Sequence, residues 1–301
     1  MNRDVASAQP LAAASDKATR TLRDMYRPWP FFGLDLVLTW GPLWLLVAGQ
    51  RLGWFDDSFA LIAIAGGSAT LSALLFVHTT PVLGFAKDFW LRAVDPSRIG
   101  FVWWLIILFS QLVINIVAIL LSVVAGGSLE QLTLSRAFLE APVAFLAFTL
   151  VFGPIPEELG WRGYGLDALR SRMNLLQASL FLGVIWSVWH LPLVFVEGTF
   201  QHGLRAYPAT LVSYFVAFVP SSILMSWIYY RTNRSTLSAI LFHFAGNAAG
   251  EMLQLSLPTR VIQTVVAFIV AGAVLWMERS LFTQREFWVP SCKEEGPHER
   301  S

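Results

Sequence analysis

Charged side chains are scarce in this sequence. Only 14% of its 301 residues are charged, about half the share found in an ordinary water-soluble domain. Because 21 Lys and Arg residues nearly balance 20 Asp and Glu residues, no net field attracts nucleic acid, and a basic groove with interleaved aromatic residues is absent as well. The composition therefore excludes a water-soluble globule and predicts no nucleic-acid partner.

Cysteine is almost absent, since Cys292 is the single one. One thiol cannot form an intrachain disulfide or a cysteine-based metal cluster, so a metal site would need histidine and carboxylate ligands. The sequence also lacks the GxSxG and HExxH motifs, which disfavours serine hydrolase and ordinary zincin chemistry. Its first 30 residues lack the apolar run of a signal peptide, so we expect the N-terminus to stay on the side of synthesis.

Long apolar stretches are what the sequence has in abundance. Hydrophobic residues make up 55% of the chain, and the mean hydropathy is +0.58. A helix needs about 20 residues to cross the hydrocarbon core of a bilayer. We therefore predict an all-α polytopic membrane protein, surrounded by the lipid bilayer, with eight spans at Phe31–Ala48, Ser58–Phe76, Phe101–Val124, Ala137–Pro156, Leu175–Val196, Tyr207–Tyr229, Ser235–Leu255 and Arg260–Met277.

The basic residues give this topology an orientation. With both termini in the cytoplasm, all of the 21 Lys and Arg residues fall on cytoplasmic segments except Arg51, Arg136, Arg205 and Arg260. Short cytoplasmic loops are enriched in Lys and Arg, so this strict alternation favours cytoplasmic N- and C-termini. We expect an integral membrane protein, in the inner membrane if the cell is bacterial.

The sequence shows no internal repeat or linker that would divide it. We expect a polar cytoplasmic arm at residues 1–30, a single membrane domain at residues 31–278 and a cytoplasmic tail at residues 279–301. Two segments, Lys87–Arg98 and Gly163–Met173, mix charged and apolar residues. This mixture predicts interfacial segments that lie along the cytoplasmic surface.

Ionisable groups inside membrane spans are costly, so those that occur are candidates for a functional site. The sequence GPIPEELGWRGYG places Glu157 beside Glu158, with Arg162 four residues after Glu158. Glu158 and Arg162 can pair on one helix face, whereas Glu157 points about 100° away. Pro154 and Pro156 predict a break in the helix just before the carboxylates. Taken alone, the three charges could also be a helix end at the membrane surface.

The next spans supply imidazole and amide groups. His190 lies in WSVWHLPL, and His243 and Asn247 share a helix face at i,i+4 spacing in LFHFAGNAAGE. His190 could be a structural residue, and His243 with Asn247 could be an interhelical clamp. Together with a glutamate, however, these groups are the parts needed to activate water and to hold an oxyanion. Hydrolysis is therefore the favoured reaction class.

The depths of these residues predict an offset between helices. At about 1.5 Å per residue, His190 would lie roughly 22 Å from the start of its span and His243 roughly 12 Å from the start of its own. The two can meet if a helix tilts or if Leu175–Ser179 lies in the interface, and we favour the second arrangement.

The three segments resemble the motifs EExxxR, FxxxH and HxxxN of the CPBP intramembrane proteases. This family includes the type II CAAX prenyl endopeptidases and bacteriocin-processing or immunity relatives. The resemblance covers residues 141–251 and departs from the family pattern at Trp186, where Phe is usual. It implies that Glu157 acts as general base on a water with help from His190, and that His243 and Asn247 stabilise the oxyanion. Glu158 and Arg162 would orient the site.

The resemblance leaves the cofactor open. Relatives have been described as metalloproteases, and two His plus one Glu is a known catalytic zinc set. Glu157, His190 and His243 are therefore candidate zinc ligands, although a metal-free glutamate mechanism uses the same residues.

We predict an intramembrane endopeptidase that cleaves a membrane-associated peptide or protein substrate, with its active site facing the cytoplasm. The alternatives are a non-catalytic membrane scaffold or bacteriocin-immunity protein, which would keep the polar cluster for packing or partner binding, and a proton-coupled transporter. A transporter would be favoured by inverted repeats and paired broken helices, and the clearest break is the one before Glu157.

Overall fold

The computed structural model describes residues 25–54 and 59–285, and nearly all of the secondary structure in these ranges is helical. The single β pairing there is an isolated bridge between Leu134 and Leu253, so the predicted all-α class is confirmed. The α-helices are α1 Pro28–Arg51, α2 Phe59–Gly66, α3 Ser68–Thr79, α4 Phe85–Val94, α5 Phe101–Val124, α6 Arg136–Glu140, α7 Pro142–Val151, α8 Pro154–Gly160, α9 Leu166–Arg170, α10 Leu175–Trp189, α11 Phe200–Gly203, α12 Pro208–Arg231, α13 Thr236–Met252, α14 Leu257–Met277 and α15 Arg279–Thr283.

Seven helical segments of the described chain are long and apolar enough to cross a membrane: Pro28–Arg51, Phe59–Thr79, Phe101–Val124, Pro142–Arg170, Leu175–Val194, Pro208–Arg231 and Leu257–Met277. They correspond to seven of the eight predicted spans. The eighth, Ser235–Leu255, matches α13, which has 17 residues and is about 26 Å long at 1.5 Å per residue. The count of eight and the cytoplasmic position of both termini stay predictions.

The fourth span is broken where its prolines predict. α7 ends at Val151, α8 begins at Pro154, and a π-helical turn, Trp161–Gly165, separates α8 from α9. Thr70 of α3 donates a hydrogen bond of 2.6 Å to the carbonyl of Pro156. This bond stabilises the backbone where the regular helical hydrogen bonds are interrupted. A Cβ on Gly160 would lie 2.4 Å from the carbonyl carbon of Ala69. Glycine therefore allows α8 to pack directly on α3.

Most of the segment Gly163–Met173 does not lie along the surface of the protein as predicted, and its place relative to a bilayer stays a prediction. Its residues from Gly163 to Ser171 are buried, and the ring of Tyr164 packs on those of Phe31 and Phe76. A Cβ on Gly163 would lie 2.8 Å from the ring of Phe89. Asp167 is neutralised inside the protein and Arg170 is buried against backbone carbonyls, whereas Arg172 is exposed. The place of Lys87–Arg98 relative to a bilayer stays a prediction.

A buried ionic network holds this segment in place. Asp167 accepts hydrogen bonds from Arg234 and from the hydroxyl of Tyr229, the latter at 2.9 Å. Arg92 donates to the Tyr229 hydroxyl at 2.6 Å, to Asp88 at 2.9 Å and to the carbonyl of Gly163 at 2.9 Å. Two cations therefore balance two carboxylates, as a buried charge cluster requires. The network joins α4, the π-helical turn, α9 and α12.

The termini of the chain are described only in part. The predicted polar arm falls largely on residues 1–24, which lie outside the described ranges, and α1 begins at Pro28, slightly before the predicted span. Residues 286–301, including Cys292, also lie outside them. Within the predicted tail, α15 is folded onto the membrane domain, since Phe282 is 1% exposed and belongs to the main hydrophobic core.

Candidate active site

Glu157 occupies the first turn of α8, directly after the break in the fourth span. Its side chain is nearly buried, and its Oε2 accepts a hydrogen bond of 2.8 Å from the indole Nε1 of Trp186 on α10. The start of a helix favours a carboxylate because the first backbone N–H groups carry a partial positive charge. The hydrogen bond from Trp186 therefore fixes the orientation of the Glu157 carboxylate through Oε2 and does not involve Oε1.

Glu158 and Arg162 form an ion pair, as their i,i+4 spacing predicts. Arg162 Nη1 lies 2.9 Å from Glu158 Oε2, and both side chains are fully buried. Arg162 also donates to Ser222 on α12 at 3.4 Å. The two adjacent glutamates therefore have different surroundings: Glu158 has a guanidinium partner, and Glu157 has an indole N–H.

His243 on α13 contacts the same carboxylate. Its Nδ1 lies 3.0 Å from Glu158 Oε1, and because an ionised carboxylate only accepts hydrogen bonds, Nδ1 must carry the proton. This contact fixes the ring orientation and leaves Nε2 as the nitrogen available for other chemistry. The Glu158–Arg162 pair thus positions a histidine that lies 85 residues away in the chain.

His190 caps the C-terminus of α10. Its Nδ1 donates to the carbonyl of Trp186 at 3.0 Å, which makes Nε2 the acceptor nitrogen of a neutral ring. The ring of Phe218 on α12 stacks on the imidazole, with 4.6 Å between the centroids and 24° between the planes. Both predicted histidines are therefore held through Nδ1, and both keep Nε2 free of these contacts.

Trp186 lies between the predicted site residues. Besides its hydrogen bond to Glu157, its ring centroid lies 5.1 Å from that of His243 and 6.5 Å from that of His190. The guanidinium carbon of Arg162 lies 5.1 Å from the same indole. The residue that departs from the family motif is therefore the one around which the three motifs assemble.

Asn247 reaches the site next to Gly153, the residue before α8. A Cβ built on Gly153 would lie 3.5 Å from Asn247 Nδ2 and 3.8 Å from Glu157 Oε1. Within the described ranges the amide of Asn247 makes no hydrogen bond to the protein. The carboxylate of Glu157 and the amide of Asn247 therefore border the same small space, which the missing side chain of Gly153 leaves open.

Contacts between helices set the relative height of His190, while the position of Leu175–Ser179 in the interface stays a prediction. Phe181, the seventh residue of α10, packs against Trp29, the second residue of α1, with ring centroids 5.6 Å apart. The first turns of α10 thus extend beyond the start of α1, and this offset brings Trp186 and His190 to the level of His243 and Asn247. α10 itself is a continuous helix from Leu175.

The three candidate zinc ligands are not arranged as a metal site. In the part of the chain that the structure describes, no group of three or more His, Cys, Asp or Glu side chains is placed to hold a metal ion. Their contacts to Trp186, the Trp186 carbonyl and Glu158 use only Glu157 Oε2 and the two Nδ1 atoms, so the disagreement with a zinc site lies in the relative placement of the three side chains. These residues as positioned do not fit a zinc ion, so no chemical step below is routed through one.

Asp35 is a buried polar residue that the sequence analysis missed. It lies in α1 with 1% exposure, and its Oδ1 accepts hydrogen bonds from Ser68 at 2.7 Å and from the indole of Trp189 at 3.3 Å. Because Trp189 directly precedes His190, the hydrogen bond to Asp35 helps to hold the end of α10 that carries His190. A lone Asp inside the apolar run GLDLVLTW was the available signal.

Comparisons with known proteins agree with this arrangement. The family description Rce1-like, type II CAAX prenyl endopeptidase, matches residues 139–249, which contain all three motifs. The CAAX prenyl protease 2 of Methanococcus maripaludis is 33% identical over 269 residues, which cover 86% of this chain and 97% of that protein. This similarity favours a protease over the scaffold and transporter alternatives. The chain belongs to the CAAX prenyl protease family of intramembrane endopeptidases.

Proposed function

We propose that this protease cleaves its substrate with a water molecule activated by Glu157. The observation that carries the proposal is that Glu157 Oε1 and the Asn247 amide border one unfilled space next to Gly153. A general base and an oxyanion donor are needed within a few ångströms of the same carbonyl group. The site offers both, and it is held together by a buried ion pair.

The proposed reaction has two steps. Glu157 takes a proton from water, and the resulting hydroxide attacks the carbonyl carbon of the scissile peptide bond. The carbonyl oxygen, on which negative charge develops, accepts hydrogen bonds from Asn247 Nδ2 and from the His243 ring, which Glu158 holds in one orientation. The carbon–nitrogen bond then breaks, and Glu157 returns its proton to the leaving amine.

His190 has a positioning role in this proposal. Its Nδ1–H is committed to the Trp186 carbonyl at 3.0 Å, so the Nε2 lone pair of the neutral ring can accept a hydrogen bond from the attacking water. Phe218 stacks on the ring and limits its rotation. A water held between Glu157 and His190 would therefore enter the reaction already oriented.

The proposed substrate is a membrane-anchored chain that ends in a CAAX sequence with a prenylated cysteine. The name of the Methanococcus relative supports this class, and the surroundings of the site fit a lipid. Phe148 and Phe152 lie just before Gly153, are 55% and 48% exposed, and their rings are tilted against one another with centroids 4.8 Å apart. Exposed aromatic rings at membrane depth can contact an isoprenoid chain at little cost.

The proposed site faces the cytoplasm of the cell, in the inner membrane if the cell is bacterial. This orientation rests on the distribution of Lys and Arg residues along the chain, which favours cytoplasmic termini. It would give the enzyme access to chains that are lipidated after their synthesis.

The proposed function is tested with the purified full-length protein in proteoliposomes. Two peptides with the same CAAX end, one with a farnesylated and one with a free cysteine, are incubated with it, and the products are identified by mass spectrometry. We expect cleavage within the CAAX sequence of the farnesylated peptide and at least about tenfold slower cleavage of the free one, because the lipid concentrates the peptide at the membrane. No cleavage of either peptide would refute the proposed substrate class.

Metal removal provides a separate prediction. Since the described part of the chain brings no three metal-ligating side chains together, we expect dialysis against 1,10-phenanthroline to leave the cleavage rate unchanged within about twofold and elemental analysis to find less than one zinc per chain. Loss of activity that added zinc restores would contradict the metal-free mechanism and would support the candidate zinc set.

A further inference from the structure

A small polar cavity lies next to the site, between α12 and α14. Its volume is about 90 Å³, and the side chains that line it include Tyr214, Ser213, Thr264, Gln263, Arg260 and Phe200. Most of these groups can donate hydrogen bonds. Ser213 and Thr264 already donate their hydroxyl hydrogens within the protein, and Gln263 donates to Asn115. The capacity of this cavity to bind a ligand therefore depends on Arg260.

The guanidinium of Arg260 is the only full charge among these residues. It lies over the ring of Phe200, 5.5 Å from the centroid, and donates one hydrogen bond of 3.3 Å to the carbonyl of Gly250. The acid that influences it is Glu251, yet in the described chain no ion pair within 4.0 Å joins the two side chains. A guanidinium has five N–H donors, so Arg260 has both charge and donors available for an anion.

The cavity adjoins the catalytic groups through Tyr214. The centroid of the Tyr214 ring lies 6.1 Å from that of His190 and 5.2 Å from that of Phe218, which stacks on His190. Gln201 donates a hydrogen bond of 2.7 Å to the Tyr214 hydroxyl, which holds the ring in place. A peptide whose scissile bond lies near His190 can therefore extend its C-terminal end into the cavity, toward the end of α14 that the predicted topology places away from the cytoplasm.

Arg260 donates to the carbonyl of Gly250, which is three residues, or about 4.5 Å of helix, after Asn247. A CAAX sequence ends three residues after its cysteine, so any bond cleaved within it lies at most about 10 Å from the terminal carboxylate. Arginine binds carboxylates through charge-assisted hydrogen bonds. We propose that the Arg260 cavity binds the C-terminal carboxylate of the peptide substrate, which places the scissile bond at Glu157; this inference rests on the proposed function.

The test compares two farnesylated peptides that differ only at the C-terminus, one a free acid and the other a carboxamide. For the wild-type protein in proteoliposomes we expect the amide to raise KM by about 10- to 100-fold, the range for a hydrogen bond to a charged group. In Arg260→Gln the KM of the acid should rise to that of the amide, whereas kcat at saturation should change little. Arg205→Gln, which removes an exposed arginine near the same end of α12, serves as control and should keep the wild-type preference.

Each result has a distinct meaning. Cleavage of neither peptide by the wild type contradicts the proposed function itself. Equal KM values for acid and amide in the wild type, or an unchanged preference in Arg260→Gln, overturn the carboxylate site and leave the proposed function standing. If Arg260→Gln does not fold, Arg260→Lys is measured: a point charge without the planar fork should retain a reduced preference, and an unreduced one overturns the proposal.

Discussion

Replacing Glu157 with glutamine should lower the rate of peptide cleavage by about 10³-fold and leave the fold intact. General base catalysis contributes about 10²- to 10⁴-fold to a rate, and an amide cannot take the proton from water. Glutamine has nearly the same shape, and its side-chain oxygen can still accept the hydrogen bond that Trp186 donates at 2.8 Å. The measurement is kcat on the farnesylated peptide, together with the unfolding temperature of each protein in detergent.

Trp186→Phe is the matched control for this prediction. It removes the N–H donor to Glu157 but keeps the carboxylate and an aromatic ring, and Phe is the residue of the family motif. We expect kcat to fall by about tenfold, the lower end of the range for a hydrogen bond to a charged group, because the carboxylate that takes the proton is kept. A Glu157→Gln variant that keeps more than a tenth of the wild-type rate would remove Glu157 from the role of base.

Local features of the site could be predicted because they depend on spacing alone. Glu158 and Arg162 are four residues apart, so the helix itself brings them together. Pro154 and Pro156 remove backbone donors, so the break before Glu157 follows from their chemistry. Both the ion pair and the break depend on residues within two turns of one helix, and the structure shows both as the sequence predicts.

Contacts between helices could not be predicted in the same way. The hydrogen bond of Glu158 to His243 and that of Glu157 to Trp186 depend on how three helices are offset, which is set by packing such as that of Phe181 on Trp29. The motifs indicate which residues belong together but not which glutamate each contacts. For the same reason the sequence suggested a zinc set that the helix positions do not form.

Buried polar residues outside the motifs were missed or misread for a related physical reason. Asp167 and Arg234 are 67 residues apart. Considered alone, either residue is expected to lie on the protein surface. Only the fold reveals that they neutralise one another inside the protein. Asp35 needs no cation because hydroxyl and indole donors satisfy its oxygen, so charge counting along the sequence cannot find its partners.

Arg162→Met should destabilise the protein by about 3–5 kcal/mol, the cost of removing one partner from a buried ion pair. Both side chains of the Glu158–Arg162 pair have 0% exposure, so water cannot replace the lost guanidinium, and Glu158 would keep only His243 as a polar partner. The measurement is the free energy of unfolding in mixed detergent micelles. Cleavage should fall as well, because Glu158 then no longer holds His243 in one orientation.

Arg136→Met is the matched control, because Arg136 and Glu140 form an i,i+4 pair whose side chains are 89% and 60% exposed. Exposed pairs contribute little to stability, so this variant should unfold like the wild type. The double variant Glu158→Gln/Arg162→Met should recover part of the lost stability, since it leaves no unpaired charge in the interior, but it should not recover cleavage. If Arg162→Met and Arg136→Met were equally stable, the buried pair would contribute no more than a surface pair, and the positioning of His243 would have to come from the packing of α13 against α5 and α8.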